Sequence, residues 1–228
     1  MKLKLIDKKQ ETADVYSFVF KTGEPFTWKA GQFMMYELEH PDPDERGSRR
    51  FFTIASAPFE KDIRLTTRLA KEGGSSFKNA LFNLPIGSTI YGDGPRGIFV
   101  LEDPNKEYVF IAGGIGITPF HSILFDLDHR RHPINVVLLY ASNTPDTVYK
   151  KELDQLAKKH SGLKIHYIVA PDLIDEVAIK KFVPDLVKPL FYISGPEPMV
   201  KSLENLLSEI GVSKENIKRD YFPGYSRL

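Results

Sequence analysis

The sequence predicts two domains of different class: an antiparallel six-stranded β-barrel over residues 1–103, followed by a doubly wound parallel α/β sheet over residues 104–228. Three observations predict it. The first hundred residues hold about six short runs of alternating polar and apolar residues separated by turn residues, the pattern of a small antiparallel barrel. From Tyr108 onward apolar runs alternate with helical patterns, as in a parallel sheet covered by helices. Around Pro95–Pro104 the first pattern gives way to the second, and the boundary falls near Glu102–Lys106.

In chain order, Lys2–Asp7, Val15–Phe20, Gln32–Glu39, Arg49–Ser56, Ile63–Leu69 and Thr89–Asp93 read as the barrel strands. Ser75–Leu84 interrupts them as a helix with Phe77, Ala80, Leu81 and Leu84 on one face. The second half then reads strand Tyr108–Ala112, helix Pro119–His129, strand Ile134–Tyr140, helix Thr147–His160, strand Leu163–Val169, an irregular helical piece within Asp175–Phe182, strand Leu190–Ser194 and helix Pro198–Ile210. In such a sheet ligands are expected at the carboxyl ends of the strands.

Composition narrows the function classes. The chain has 228 residues, 42% hydrophobic and 27% charged, with a net charge of +1 and both signs spread along it. That balance points away from nucleic acid and from an anionic membrane surface. No window approaches the ~18 apolar residues of a membrane helix, and the first residues lack the apolar centre of a signal peptide, so a cytoplasmic protein is expected. Cysteine is absent, which removes disulfides, thiolate chemistry and cysteine-ligated clusters from these residues. The six histidines show no spacing expected of a metal site.

Three stretches carry candidate chemistry. Tyr108–Ala112 is a buried-strand pattern that ends in Gly113, Gly114 and Gly116, after which Thr118 is placed to cap a helix starting at Pro119. Strand, glycine turn and helix N-terminus in that order make an anion site, with a nucleotide pyrophosphate as the expected occupant; the same residues also suit a plain tight turn. Arg50-Phe51-Phe52-Thr53 lies on a strand whose alternation sends Arg50, Phe52 and Ile54 to one face and Phe51 and Thr53 to the other. They read either as a surface cation–aromatic pair or as a bed for a ring system, with Arg50 on its phosphates and Thr53 at its edge. Gly73, Gly74, Ser75 and Ser76 again lead glycines into a helix start, either as a second anion site or as an ordinary capped loop.

Taken together these stretches resemble the ferredoxin–NADP reductase family of flavoenzymes, over nearly the whole chain and in the family's order. Its flavin motif Arg-x-aromatic-Ser/Thr is matched by Arg50, Phe51, Phe52 and Thr53, and its second glycine-rich motif by Gly73, Gly74, Ser75 and Ser76. The nicotinamide-nucleotide motif Gly-Gly-x-Gly-x-Thr-Pro is matched by Gly113, Gly114, Gly116, Thr118 and Pro119. A late Cys-Gly-Pro-x-x-Met motif is met by Ser194, Gly195, Pro196 and Met199. Two positions depart: Phe52 stands where tyrosine is usual, and Ser194 replaces a cysteine commonly near the nicotinamide.

The resemblance implies FAD and NAD(P)H as cofactors, and hydride transfer driven mainly by holding the nicotinamide about 3 to 3.5 Å from the flavin. Thr53 and Ser194 would touch the reacting rings, and a C-terminal aromatic, Tyr221, Phe222 or Tyr225, would cover the flavin or close the last strand. Ser142, at the end of the second strand of this half, suits either NAD or NADP, because no carboxylate or arginine stands there. With no acceptor group expected within the chain, electrons would pass to a separate partner such as an iron–sulfur protein or an oxygenase. Two other readings stay open: an NAD(P)H:flavin reductase that treats flavin as a diffusible substrate, and a non-catalytic nucleotide-binding redox sensor.

Overall fold

The computed structural model describes residues 1–69 and 74–222, the last by its backbone alone. They fall into two compact units: Met1–Val100 with His121–Asp126, and Leu101–Phe120 with the residues from Leu127 onward.

The first unit is a six-stranded antiparallel sheet built from β1 (Lys2–Gln10), β2 (Val15–Thr22), β3 (Phe33–Glu37), β4 (Arg49–Thr53), β5 (Ile63–Arg68) and β6 (Thr89–Arg96), with helix α1 (Ser76–Asn83) between β5 and β6. The order β4-β3-β6-β1-β2-β5 puts β4 and β5 at its two ends, and the sheet curls so that Ala55 N–H, just past β4, donates to the Arg64 carbonyl on β5 at 2.8 Å. Alternation decides the core: Leu3 and Leu5, Phe18 and Phe20, Met34 and Tyr36, Ile63 and Leu65 all point inward and are fully buried. Phe77 and Leu81 on α1 join them, as the helical spacing of those apolar residues requires.

The second unit is a five-stranded parallel sheet of β7 (Tyr108–Gly113), β8 (Val136–Ser142), β9 (Leu163–Val169), β10 (Leu190–Pro196) and β11 (Ile217–Phe222), in the order β11-β10-β7-β8-β9. Its helices are α3 (Lys150–Lys159), α4 (Glu176–Phe182), α5 (Glu197–Glu209) and the two ends of α2 (Ile117–His129), whose middle, His121–Asp126, falls in the first unit. Val109, Ile111, Phe191 and Ile193 pack with Ile179 of α4 and Val200, Leu203 and Leu207 of α5 on one face. On the other face Phe110 stacks on Phe120 of α2 with ring centroids 4.5 Å apart. Covering on both faces is why these strands are apolar at nearly every position. The strand order reverses between β7 and β10, and the carboxyl ends of those two strands are where a sheet of this kind places its ligand crevice.

Differences from the sequence reading are local. β11 is an added edge strand, paired in parallel with β10 from Phe191↔Ile217 to Pro196↔Phe222; Ile-Lys-Arg-Asp-Tyr-Phe lacks the apolar run that marks the inner strands. α3 starts at Lys150 and not Thr147, because Tyr149 adopts a left-handed conformation with φ 62° that breaks the helical path before it. Among the described residues no helix is long and apolar enough to cross a membrane.

Because Phe110 is fully buried and stacked, Phe110→Ala is expected to destabilise the second unit by about 3 to 5 kcal/mol, read as a shift of its denaturant midpoint. A change below 1 kcal/mol, a value small against that cavity cost, would show that this face is not packed as described.

Candidate functional site

In the first unit, β4 pairs with β3 so that Thr53 lies opposite Phe33, Phe52 opposite Met34 and Arg50 opposite Tyr36. Phe52 is half-buried against the core, with its ring 5.9 Å from Tyr36 and 5.8 Å from Phe77. Phe51 faces away, is 58% exposed and meets Phe33 edge-on at 5.9 Å. Thr53 is buried, and its Oγ1 has no hydrogen-bond partner among the described residues. The Tyr36 hydroxyl is likewise buried and unpartnered, and burial pushes its phenol far above the ordinary range.

Arg50 does not stand open. Its guanidinium lies 5.7 Å over the Phe77 ring. Nη1 donates to the carbonyls of Arg46, Gly47 and Arg49 at 2.9, 2.8 and 2.7 Å, and Nη2 donates to Asp44 Oδ1 at 2.5 Å. Its Nε, also buried, has no partner among the described residues.

The same carboxylate governs the start of α1. Ser75 holds the cap position with extended backbone, yet its hydroxyl makes no capping bond and is buried without a partner among the described residues. The first helical N–H, from Ser76, donates instead to Asp44 Oδ2 at 3.1 Å. Burial by itself would raise the Asp44 carboxyl, but Arg50, the Arg46 N–H and guanidinium, and the Ser76 N–H outweigh it and hold it well below the usual carboxylate range. Ser76 Oγ accepts from the Asp44 N–H at 2.9 Å and meets His40 Nε2 at 2.9 Å. Since His40 Nδ1 faces the Leu38 carbonyl at 2.7 Å, the ring proton belongs on Nδ1 and the Ser76 hydroxyl donates to Nε2. Gly74 is described and half-buried; Gly73 lies outside the described residues.

In the second unit the predicted glycines gather at the carboxyl ends of β7 and β10. A Cβ on Gly116 would overlap the Ser194 carbonyl, and one on Gly113 would meet Met199 Sδ and, at 3.2 Å, Pro196. One on Gly195 would lie 3.3 Å from the Gly113 backbone. Gly113, Gly116, Ser194, Gly195, Pro196 and Met199 are therefore brought to one place, with Gly114 at φ 53° opening the turn. Thr118 does not cap the helix: the turn Gly114–Gly116 runs straight into α2 at Ile117, so Thr118 already lies inside it and donates to the Ile115 carbonyl at 3.0 Å. Pro119 is correspondingly in the first turn. Ser142 closes β8, its hydroxyl donating to the Thr144 carbonyl at 2.5 Å. Ser194 is fully buried and its Oγ has no partner among the described residues.

Sequence reading missed Asp44, His40 and Asp220. The first two sit in what reads as a polar turn, and no local signal ties Asp44 to Arg50 or to Ser76. Asp220 lies in register with Ser194 on the neighbouring strand, where burial pushes its carboxyl up to about 6. Its strand was not foreseen, so its neighbour was not either. Tyr225 lies outside the described residues; Tyr221 ends the described side chains of β11 and is 46% exposed.

Residues 2–101 match the oxidoreductase FAD-binding domain and residues 110–205 the oxidoreductase NAD-binding domain. The chain belongs to the ferredoxin–NADP reductase-like family of flavoprotein oxidoreductases. It is 26% identical to the glycine betaine monooxygenase reductase subunit of Pseudomonas aeruginosa, over 93% of this chain and 62% of that protein. It thus spans about three fifths of that relative's length. Its fold is that of the flavohem-like FAD/NAD-binding domain of nitric oxide dioxygenase from Vibrio cholerae, with TM-score 0.83, 22% identity and coverage of 97% and 98% of the two chains. It is also that of a ferredoxin–NADP reductase from Neisseria gonorrhoeae with bound FAD and NADP, with TM-score 0.82, 20% identity and coverage of 97% and 98%.

The residues of this flavoprotein fit both nucleotides. The FAD-binding domain leaves Thr53 Oγ1, Ser75 Oγ and Arg50 Nε buried without partners among the described residues, and the NAD-binding domain leaves Ser194 Oγ in that state beside glycines whose missing side chains let the β7 turn and β10 approach closely. Buried polar atoms without partners cost stability, and a ligand is the usual reason that they persist.

Two outcomes follow. Ser194→Ala removes a hydroxyl that has no partner among the described residues, so the ligand-free chain should melt at the same temperature or higher; a clear loss of stability would reveal a partner for Oγ. Asp220 titrates near 6 in the fold against 3.8 when free, so the native state binds the proton more tightly and stability should fall as pH rises from about 4 to about 6. In Asp220→Asn, urea unfolding followed across that range should lose this slope.

Proposed function

We propose that the chain is a reductase component that takes reducing equivalents from NADH or NADPH through FAD to a separate acceptor, an iron–sulfur protein or an oxygenase partner. The observation that carries the reading is the pairing, within one chain, of buried polar atoms without partners among the described residues at Arg50, Thr53 and Ser75 in the FAD-binding domain with the buried Ser194 hydroxyl beside close-packed glycines in the NAD-binding domain. These 228 residues contain no cysteine, so a thiolate-ligated cluster would lie outside them. The similar reductase subunit is named for a monooxygenase, which supports an oxygenase as the acceptor.

In this reading Arg50, with Gly73, Gly74, Ser75 and Ser76 at the start of α1, holds the flavin phosphates by charge-assisted hydrogen bonds. Phe52 presents an apolar face to the ring system, and Thr53 Oγ1 is the hydroxyl at its reactive edge. Gly113, Gly114 and Gly116 let backbone N–H groups and the start of α2, with Thr118 and Pro119 in its first turn, approach the pyrophosphate of the nicotinamide nucleotide. Gly195, Pro196 and Met199 wall the crevice, Ser142 lies on the ribose side, and Ser194 Oγ faces the nicotinamide. Bound FAD supplies the chemistry that converts a two-electron donor into electrons for the acceptor. The protein's share is orientation and exclusion of water. A hydroxyl at 194 where a thiol is common makes a harder neighbour for the nicotinamide and slows transfer without abolishing it. Tyr225 is assigned the covering role at the flavin.

A second reading, flavin as a diffusible substrate, is favoured by one feature: Arg50 is already bonded to Asp44.

The visible spectrum of the purified protein tests both. Bleaching of the flavin band within seconds of adding NADH or NADPH is expected; a colourless protein that binds neither FAD nor FMN would overturn the proposal. Flavin retained through gel filtration supports the first reading, and flavin lost there with steady reduction of added riboflavin supports the second. Gly116→Ala, which pushes a methyl against the Ser194 carbonyl, should slow bleaching at limiting nucleotide by about tenfold or more, the scale on which misplaced reactants lose rate.

A further inference from the structure

We propose that Asp44 is an internal occupant of the anion site built by Arg50 and the N-terminus of α1, and that a phosphate-bearing flavin enters only by displacing it. The inference rests on the reading that Arg50 holds the flavin phosphates, and adds to it a competitor carried by the chain itself.

Four donors converge on the Asp44 carboxylate. Oδ1 accepts from Arg50 Nη2 at 2.5 Å and from the Arg46 N–H at 3.0 Å; Oδ2 accepts from the Ser76 N–H at 3.1 Å and from Arg46 Nη2 at 3.3 Å. A guanidinium, a helix N-terminal N–H and a loop N–H are the donors that a phosphate oxygen would meet in the same place. A second observation marks the spot as more than a capped helix: Ser75, at the cap position, is 9% exposed and its hydroxyl has no partner among the described residues, and the buried Arg50 Nε has none either. Asp44 satisfies part of the donor set and leaves the rest. A carboxylate and a phosphate cannot share it, because two anions a few ångströms apart in a partly buried site repel strongly.

The loop that carries Asp44 has the means to leave. Residues 41–43 and 45–46 are exposed. The turn relies on left-handed backbone at Asp42, φ 49°, and Gly47, φ 65°, while its two ends are held by the Leu38 N–H on the Ser48 carbonyl at 3.0 Å. His40 and Ser76 remain bonded to each other without Asp44. Swinging the loop outward would free Arg50 Nη2 and the Ser76 N–H together, at the cost of the bonds from Arg50 Nη1 to the Arg46 and Gly47 carbonyls and from the Asp44 N–H to Ser76 Oγ.

The consequence is selective: Asp44 lowers affinity for flavins that carry phosphate and leaves riboflavin untouched. The test titrates the full chain with FAD, FMN and riboflavin by fluorescence quenching, in the wild type, Asp44→Asn, Asp44→Ser and Arg50→Ala, with a melting curve for each. FAD and FMN should bind about tenfold more tightly in both Asp44 variants, because the competent state is no longer a minor one, and riboflavin should stay within about twofold, which is within ordinary context effects. Unchanged or weaker FAD binding in folded Asp44 variants, with Arg50→Ala still weakening it, would overturn the displacement and leave Arg50 as the phosphate holder. FAD binding unaffected by Arg50→Ala would overturn the underlying reading. If neither Asp44 variant folds, stopped-flow mixing of the wild type decides: a binding rate that saturates with FAD but rises linearly with riboflavin supports displacement, and a linear rise with both overturns it.

Discussion

The nucleotide-binding half depends on how closely the backbone of the turn after β7 can approach the end of β10. At Gly116 the distance is set by the absence of a side chain, since a Cβ there would fall on the Ser194 carbonyl. Gly195 and Gly113 repeat the arrangement one strand width apart. Without these contacts the turn Gly114–Gly116 and the start of α2 that follows it would stand off the sheet at the point where the strand order reverses. The cost of so many glycines, lost chain entropy on folding, is borne where the ligand needs backbone and not side chain.

Around this framework the core is conventional and the binding surfaces are not. Both sheets alternate or saturate with apolar residues as their burial demands. Thr53, Ser75 and Ser194 depart from that economy, each with a buried hydroxyl and no partner among the described residues. Such atoms are tolerated where a bound group completes them; Arg50, Thr53, Ser75 and Ser194 lie within the flavin and nicotinamide motifs, whereas Tyr36, Thr67, Arg68 and Thr147 carry such atoms outside them.

Arg50 shows how charge is managed near such a position. It packs over Phe77, reaches three loop carbonyls and meets Asp44, so its charge is neutralised within the chain. An isolated guanidinium with its side chain only 10% exposed would be costly. The Asp44 carboxylate also serves the start of α1, where the side chain of the nominal cap, Ser75, makes no capping bond. One acidic side chain thus stabilises two features, the Arg50 guanidinium and the start of α1, that in the proposed reading a flavin phosphate would also stabilise.

The sequence by itself determined the class of each half and the order of its elements, because strand alternation, helical spacing and strand-glycine-helix junctions are local patterns that survive without knowledge of the fold. It also determined which residues carry the flavin and nicotinamide motifs, since those are contiguous. Tertiary structure alone decided that Asp44 would meet both Arg50 and Ser76, that Asp220 would lie beside Ser194 through the unforeseen strand β11, and that Thr118 would fall inside α2 and not at its cap. The reason is the same each time: a pairing between side chains remote in the chain depends on strand register and loop path, which no single stretch of sequence encodes.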